Sequence, residues 1–165
     1  MKKIVSIVIC LLCLFVTSIS LAAPIQTEQA SVRGLTLASN IESVKKVMGE
    51  PFRVGHFYME NYWGGYSDIM YEYPGVNFVF STKSSKYPLI KIILDSPQAA
   101  MDNGLKVGVS SNTVVNTFGR DYDFSNSEMV YDYVTDPISY NIGKISFQLA
   151  GGTVKKIMIE VRKNE

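Results

Sequence analysis

Apolar side chains recur at every second position in several parts of the chain, a period typical of half-buried strands. Residues 69–73 and 76–80 follow this period on either side of the turn pair Pro74-Gly75. Strands that follow one another through tight turns pair in an antiparallel sheet. Four further strands are predicted at residues 89–94, 129–133, 142–149 and 154–161, with Gly151-Gly152 as the hairpin turn between the last two.

A helical spacing of apolar residues predicts a short helix at residues 40–48. Ser39 and Glu42 have the spacing of a capping box at its start, and Gly49 followed by Pro51 ends it. Such a helix presents one apolar stripe, which it can bury against a sheet.

A second helix is predicted between a cap at Ser110 or Ser111 and an end at Gly119. A further turn of helix is predicted at residues 97–103, because proline suits the first helical position and Gly104 suits the exit.

The two longer helices belong to an internal repeat. Residues 34–38 (Gly-Leu-Thr-Leu-Ala) align with residues 104–108 (Gly-Leu-Lys-Val-Gly) at an offset of 70, which also matches Gly49 with Gly119. Each unit contains one helix followed by several strands, so two copies of one supersecondary unit share a core. Later segments match at smaller offsets, 71–73 with 131–133 at 60 and 89–94 with 154–159 at 65.

This pattern predicts an α+β fold in a single domain at residues 34–165, with repeats at 34–95 and 104–162. The strands are expected to form one continuous antiparallel sheet with both helices on one face.

The first 23 residues have the layout of a secretory signal peptide. Lys2-Lys3 precede the apolar run 4–21, which Ala22-Ala23 follow, so cleavage is expected between Ala22 and Pro24. A membrane anchor is the alternative, but the run is near the lower length limit of a span. Residues 24–33 are predicted to form a flexible leader.

Both cysteines, Cys10 and Cys13, lie in the predicted signal segment, so the mature chain would contain no thiol and no disulfide. Neither follows the small residue that lipoprotein processing requires, and no membrane anchor is expected after cleavage. Loss of the two lysines changes the formal net charge from +1 to −1. A near-neutral chain without a basic run is not typical of nucleic-acid-binding proteins.

Patterns for catalysis and for cofactor binding are weak in this sequence. His56 is the only histidine, so it is the one residue on which a histidine-based metal cluster or triad could be built. No serine lies in a nucleophile-elbow pattern. The sequence therefore predicts no cofactor and no enzymatic activity. The alternative is a metal-dependent or acid–base hydrolase that uses carboxylates around Glu60 and Asp68, or around Asp121.

The order of motifs resembles a known repeat. Four successive motifs are similar to the repeat of β-lactamase-inhibitor proteins and of the small BamE-type component of outer-membrane barrel assembly. They are Gly-Leu-Thr-Leu at 34–37, a capped helix ending in Met-Gly-Glu-Pro at 48–51, Tyr-Glu-Tyr at 71–73 and Val-Asn-Phe-Val-Phe at 76–80. The resemblance, closest to the tandem inhibitor proteins, implies an exported domain that binds another protein without catalysis. The mature chain lacks the inhibitors' disulfides, and it has two units where the BamE-type lipoprotein has one.

Residues 56–73 are dense in aromatic side chains around Gly64-Gly65, a predicted hairpin tip. Tyrosine and tryptophan beside a loop offer large contact areas at low entropic cost and often anchor interfaces. Tyr71 and Tyr73 are instead expected in the core. The predicted partner-binding residues are Tyr58, Tyr62, Trp63 and Tyr66.

Between residues 121 and 132, side chains with oxygen atoms stand at positions 1, 3, 5 and 12 of a calcium-binding loop. Position 12 carries Asp in place of the usual Glu, and Asn126 stands where glycine is usual. A polar loop leading into a strand is the simpler interpretation, so no metal is predicted. The alternative calcium ligands are Asp121, Asp123, Ser125 and Asp132.

The sequence as a whole predicts an exported, non-enzymatic module, periplasmic or secreted, that binds another protein through a concave sheet and the aromatic hairpin. A structural envelope protein that buries all of its aromatic residues is a further interpretation.

Overall fold

The computed structural model describes residues 25–59, 66–136 and 141–162. They contain a short 3₁₀ helix at Thr27–Ala30 and two α-helices, α1 (Ile41–Met48) and α2 (Ser111–Phe118). The strands are β1 (Arg53–Met59), β2 (Tyr66–Tyr73), β3 (Val76–Phe80), β4 (Leu89–Leu94), β5 (Asp123–Ser125), β6 (Glu128–Asp136), β7 (Asn141–Ala150) and β8 (Thr153–Val161). The predicted α+β class is confirmed, and the predicted signal segment lies outside the described residues.

All eight strands form one open antiparallel sheet in the order β1-β2-β3-β4-β8-β7-β6-β5. Each repeat contributes a four-stranded meander, and β4 pairs with β8 at the centre, where Ile92 lies opposite Ile159 and Leu94 opposite Ile157. The continuous sheet predicted from the repeat is therefore confirmed. β1 and β5 form its two edges.

The core lies on one face of this sheet. Cross-strand pairing places Tyr71, Phe78 and Ile92 in one row with residues of the second repeat, and all three are buried. Val44 of α1 and Val114 of α2 are fully buried in the same cluster, so both helices pack on this face. Tyr73 is buried as well, as the sequence predicted for Tyr71 and Tyr73.

Both helices begin and end alike. Asn40 caps α1 by accepting a hydrogen bond from the Ser43 N–H at 2.9 Å, and Ser110 caps α2 by accepting one from the Thr113 N–H at 3.2 Å. The predicted cap at Ser39 is therefore one residue early. Gly119 ends α2 at φ 89°, in the left-handed region that favours glycine.

Strand pairing also repeats between the halves. The Leu89 N–H donates to the Ser39 carbonyl and the Val154 N–H donates to the Val109 carbonyl, each at 2.9 Å. The register of β3 shifts between Val79 and Phe80, and that of β7 shifts between Gln148 and Leu149. Phe80 therefore corresponds to Leu149.

One part of the sequence alignment of the repeats is wrong by two residues. The Tyr73 hydroxyl donates to the Gly49 carbonyl and the Tyr131 hydroxyl donates to the Gly119 carbonyl, each at 2.9 Å. Tyr73 thus corresponds to Tyr131, and Tyr71 to Met129. Each segment carries two tyrosines two positions apart, so the sequence alone favours the wrong match. The hydrogen bond and the strand register, which pairs Tyr71 with Phe78 and Met129 with Phe147, identify the right one.

The predicted flexible leader is wrong from Thr27 onward. Ala30 and Val32 are buried in the core, and Val32 exchanges two backbone hydrogen bonds of 3.0 Å with Leu35. The Asp102 carboxylate holds this segment by accepting hydrogen bonds from the Ser31 hydroxyl at 2.6 Å and from the Arg33 and Gly34 N–H groups at 2.7 Å.

The predicted turn of helix at residues 97–103 is also wrong. The segment consists of turns and an isolated bridge between Ala100 and Lys106. The Met101 N–H donates a hydrogen bond to the Leu105 carbonyl, and the Met101 side chain is buried. The next residue, Asp102, contacts the N-terminal segment through its carboxylate. Tertiary contacts on both sides therefore override the local preference for helix.

Within the described part of the chain, no helix has the length and apolar character needed to cross a membrane.

Candidate functional surfaces

The predicted aromatic hairpin is formed by β1 and β2. These strands pair antiparallel up to the opposed residues Met59 and Tyr66, and Tyr58 lies opposite Ser67. Tyr62 and Trp63 lie outside the described residues. The strand β1 itself was not predicted, since an edge strand with exposed His56 and Val54 shows no clean burial pattern. The binding role of this hairpin stays a prediction.

The alternative calcium ligands lie in and beside a hairpin of two strands. Asp123 and Ser125 are exposed on β5, which turns through Asn126 and Ser127 into β6. Asp132 lies farther along β6, where it pairs with Arg162. No group of three or more His, Cys, Asp or Glu side chains among the described residues is arranged to hold a metal ion.

The side chains that point away from α1 and α2 form a second face of the sheet, which we call the open face. Register and alternation place Asn77, Ile93, Met158, Ser146 and Val130 in one row across five strands. Ile93, Met158 and Val130 are half-buried, and none of the described helices packs on this face. The buried Ser146 hydroxyl has no hydrogen-bond partner.

Charged residues form the adjacent row of the open face. Glu160 of β8 lies between two lysines, with Oε2 2.5 Å from the Lys91 Nζ and Oε1 2.9 Å from the Lys144 Nζ. Lys144 lies opposite Asp132, which pairs with Arg162. Positive and negative groups thus alternate along the row from β4 to β6.

Electrostatics keep Glu160 ionised at the centre of this row. Burial opposes ionisation, but hydrogen bonds and charges from Lys91 and Lys144 outweigh it and lower the pKa of Glu160 below its ordinary value. Sequence reasoning missed this cluster. Its signal is a charged residue between apolar neighbours, such as Lys91 in the segment Leu-Ile-Lys-Ile-Ile-Leu.

Two of the carboxylates considered for a hydrolase, Asp68 and Asp121, lie in different repeats. Asp68 is buried and accepts a hydrogen bond from the Thr82 N–H at 3.2 Å. Asp121 is exposed and lies two residues before β5, the first strand of the β5–β6 hairpin. Glu60 lies outside the described residues.

Comparisons with known proteins give distant structural matches only. No protein-family profile matches the chain, and no curated protein matches it. An extracellular protein containing an SCP domain from Bacillus anthracis is 11% identical at a TM-score of 0.46, over 74% of this chain and 43% of that one. A cysteine-rich secretory protein from Staphylococcus aureus is 13% identical at a TM-score of 0.46, over 83% of this chain and 48% of that one.

A third solved structure is a candidate β-lactamase inhibitor protein from Streptococcus mutans. It is 14% identical at a TM-score of 0.27, over 74% of this chain and 82% of that one. The chain spans less than half the length of each of the first two proteins.

Proposed function

We propose that this chain is an exported, non-enzymatic module that binds another protein through the open face of its sheet and the aromatic hairpin at the β1 edge. The open face is the observation that carries the proposal. Antiparallel sheets often leave one face in solvent, and none of the described helices covers this one, so its half-buried apolar side chains are available to a partner.

The composition of the open face supports a protein partner. Half-buried Ile93 and Met158 lie side by side, with Val130 beyond Ser146 in the same row. The ion-paired row around Glu160 borders this apolar strip. Protein interfaces commonly combine an apolar centre with a polar rim. Opposed charges held in fixed positions also add specificity for one partner orientation.

The positions of two carboxylates support a role without catalysis. Asp68 on β2 is buried and accepts a hydrogen bond from the Thr82 N–H, whereas Asp121 lies next to β5 in the other repeat. These two therefore do not form the paired acid and base that hydrolysis by two carboxylates needs. Export is supported by the signal-like pattern of residues 1–23.

The test is cross-linking capture from the native cell envelope, with the chain from Pro24 onward as bait. Met158→Lys places a charge in the apolar strip, and a triple variant changes Tyr62, Trp63 and Tyr66 to Ala. Val47→Glu on α1, where Val47 is 46% exposed, is the matched control. All baits are first checked for unchanged melting.

We expect one protein to be captured by the unchanged bait and by Val47→Glu, and to be lost from Met158→Lys or from the triple variant. Equal recovery by all four baits, or recovery of nothing, would count against the proposal and make an activity screen the next step.

A further inference from the structure

The second repeat has an apolar groove on the helix-bearing side of the sheet. It lies between α2, the β5–β6 hairpin and the β7–β8 turn, and its volume is about 370 Å³. Val115, Tyr122, Met129 and Leu149 supply its apolar lining, and Phe124, 61% exposed, forms one wall. Every residue that lines the groove is uncharged.

The first repeat is filled at the equivalent position. Tyr71 and Phe80 stand where the second repeat has Met129 and Leu149, and their rings meet edge to face with centroids 5.2 Å apart. Lys45 stands where the second repeat has Val115. Its Nζ lies 5.7 Å above the Tyr71 ring and 3.1 Å from Glu50.

The groove is therefore the space that two aromatic rings and a lysine stem occupy in the other half of the same molecule. The second repeat carries a smaller side chain at each of these three positions and no charge among them. Phe124 extends the apolar surface of the groove, and contiguous exposed apolar surface, unlike a single exposed residue, marks interaction sites. Aromatic rings pack edge to face, as Tyr71 and Phe80 do in the first repeat.

We infer that this groove receives an uncharged aromatic side chain of a partner protein. Neutral walls complement an uncharged group, since a buried charge would be left unpaired there. The polar groups of Ser111, Asn112 and Ser127 at the rim suit the backbone or hydroxyl that accompanies such a ring. This inference goes beyond the open-face proposal, because it concerns the opposite side of the sheet and is tested without a captured partner.

The test is an NMR titration of the ¹⁵N-labelled chain with three defined probes: N-acetyl-phenylalaninamide, N-acetyl-leucinamide and N-acetyl-lysinamide. We expect the aromatic probe to shift the amide resonances of Ser127, Gly151 and Gly152 to saturation. The leucine probe should bind several-fold more weakly, and the lysine probe should cause no saturable shift.

Three results would overturn the inference. These are an aromatic probe that causes no saturable shift, shifts that map elsewhere on the chain, and equal shifts with the lysine probe. A fourth is a concentration-dependent shift of the same amides without any probe, which would assign the groove to a second copy of this chain.

Two sets of variants locate the site. Met129→Tyr with Leu149→Phe copies the first repeat into the second, and we expect the Kd of the aromatic probe to rise at least about tenfold. Phe124→Ala removes the exposed wall with little risk to folding, and Phe52→Ala, at a residue 68% exposed in the first repeat, is its matched control. We expect several-fold weaker binding for Phe124→Ala and none of that change for Phe52→Ala.

Equal affinity in all of these variants would overturn the inference. If the double variant does not fold, the comparison of Phe124→Ala with Phe52→Ala decides the question.

Discussion

Two tyrosines of β6 share the buried face of the sheet but differ in what their hydroxyl groups contact. The Tyr131 hydroxyl donates to the Gly119 carbonyl at 2.9 Å, whereas the buried Tyr133 hydroxyl has no hydrogen-bond partner. Burial raises the pKa of both phenols, that of Tyr131 to about 12 with a further contribution from Tyr122. Both therefore stay un-ionised at neutral pH, so the hydrogen bond is the main difference between them.

Tyr131→Phe is expected to lower the free energy of unfolding by about 1 kcal/mol, because it leaves a helix-end carbonyl without its partner. Tyr73→Phe should cost a similar amount, since Tyr73 makes the same bond in the first repeat. Tyr133→Phe should be neutral or stabilising, because it removes a buried unpaired hydroxyl. Urea denaturation at pH 7 measures all three. Equal losses at positions 131 and 133 would contradict this account.

Asp102 is expected to make stability depend on pH. Burial opposes its ionisation, but hydrogen bonds from Ser31, Gly34 and Arg33 outweigh this and lower the pKa of Asp102. Because the folded pKa lies below the unfolded one, the stabilisation is complete above the unfolded value of about 3.9. It is lost as the pH falls through the folded pKa.

Asp102→Asn should therefore lower the free energy of unfolding by about 1 kcal/mol at pH 7, a figure reduced for solvent exposure. The difference from the unchanged chain should shrink as the pH falls below the unfolded value of about 3.9 and through the lower folded pKa. Denaturation curves between pH 2 and about pH 7 measure it. If the difference in the free energy of unfolding is unchanged at pH 2, the loss of stability comes from the altered side-chain group and not from the lost charge.

At the scale of single elements, β7 depends on a glycine beneath an aromatic ring. A Cβ on Gly143 would lie 2.5 Å from the Tyr133 ring, a distance that forces the ring or the strand to move. Gly55 on β1 is the natural comparison, since a Cβ there would meet its nearest neighbour, the Met70 Cε, at 3.5 Å.

Gly143→Ala is expected to lower the free energy of unfolding by about 1 to 3 kcal/mol through overpacking. Gly55→Ala should change it by less than about 0.5 kcal/mol, as most surface substitutions do. Thermal unfolding monitored by circular dichroism measures both, and equal effects would mean that the Tyr133 ring does not restrict β7.

Glu160 links three strands from both repeats, because Lys91 lies on β4 and Lys144 on β7. Glu160→Gln should lower the free energy of unfolding by about 1 to 2 kcal/mol, since two lysines then lose a charged partner that is largely buried. Glu160 has a lowered folded pKa, so its stabilisation is complete above the unfolded value of about 4.3 and is lost as the pH falls through the folded pKa. Denaturation at pH 7 and at pH 3 should show a smaller difference between Glu160→Gln and the unchanged chain at pH 3 than at pH 7.

At the scale of the whole molecule, the N-terminal segment belongs to the folded domain. Ala30, Val32 and Leu35 are buried, Thr27 donates a hydrogen bond to the Val134 carbonyl at 3.3 Å, and Asn103 donates one to the Gln29 carbonyl at 3.0 Å. The segment therefore ties the connection between the repeats to the second half of the sheet.

A chain that begins at Gly34 is expected to be less stable than one that begins at Ile25 by about 3 kcal/mol, because it exposes apolar core and removes the partners of Asp102. Thermal and urea unfolding of the two chains measure this. Equal stability would restore the interpretation of residues 25–33 as a leader outside the fold.

Local sequence patterns predicted most of the elements of this fold. The strands β2, β3, β4, β7 and β8 and both helices lie within one or two residues of their predicted positions, except that β2 begins three residues earlier. Burial of alternate or helically spaced side chains is a local property that the sequence displays directly. The edge strand β5, Asp123–Ser125, is exposed throughout and shows no such pattern.

The sequence by itself determined the α+β class, the duplication and the antiparallel meander, because each depends on residues a few positions apart or on a repeated segment. Only the tertiary structure decided that Asp102 holds Ser31, 71 residues away, that Tyr73 corresponds to Tyr131, and that the second repeat keeps a groove. Each of these depends on which distant atoms meet once the two halves share a core. No local pattern of apolar and polar residues contains that information.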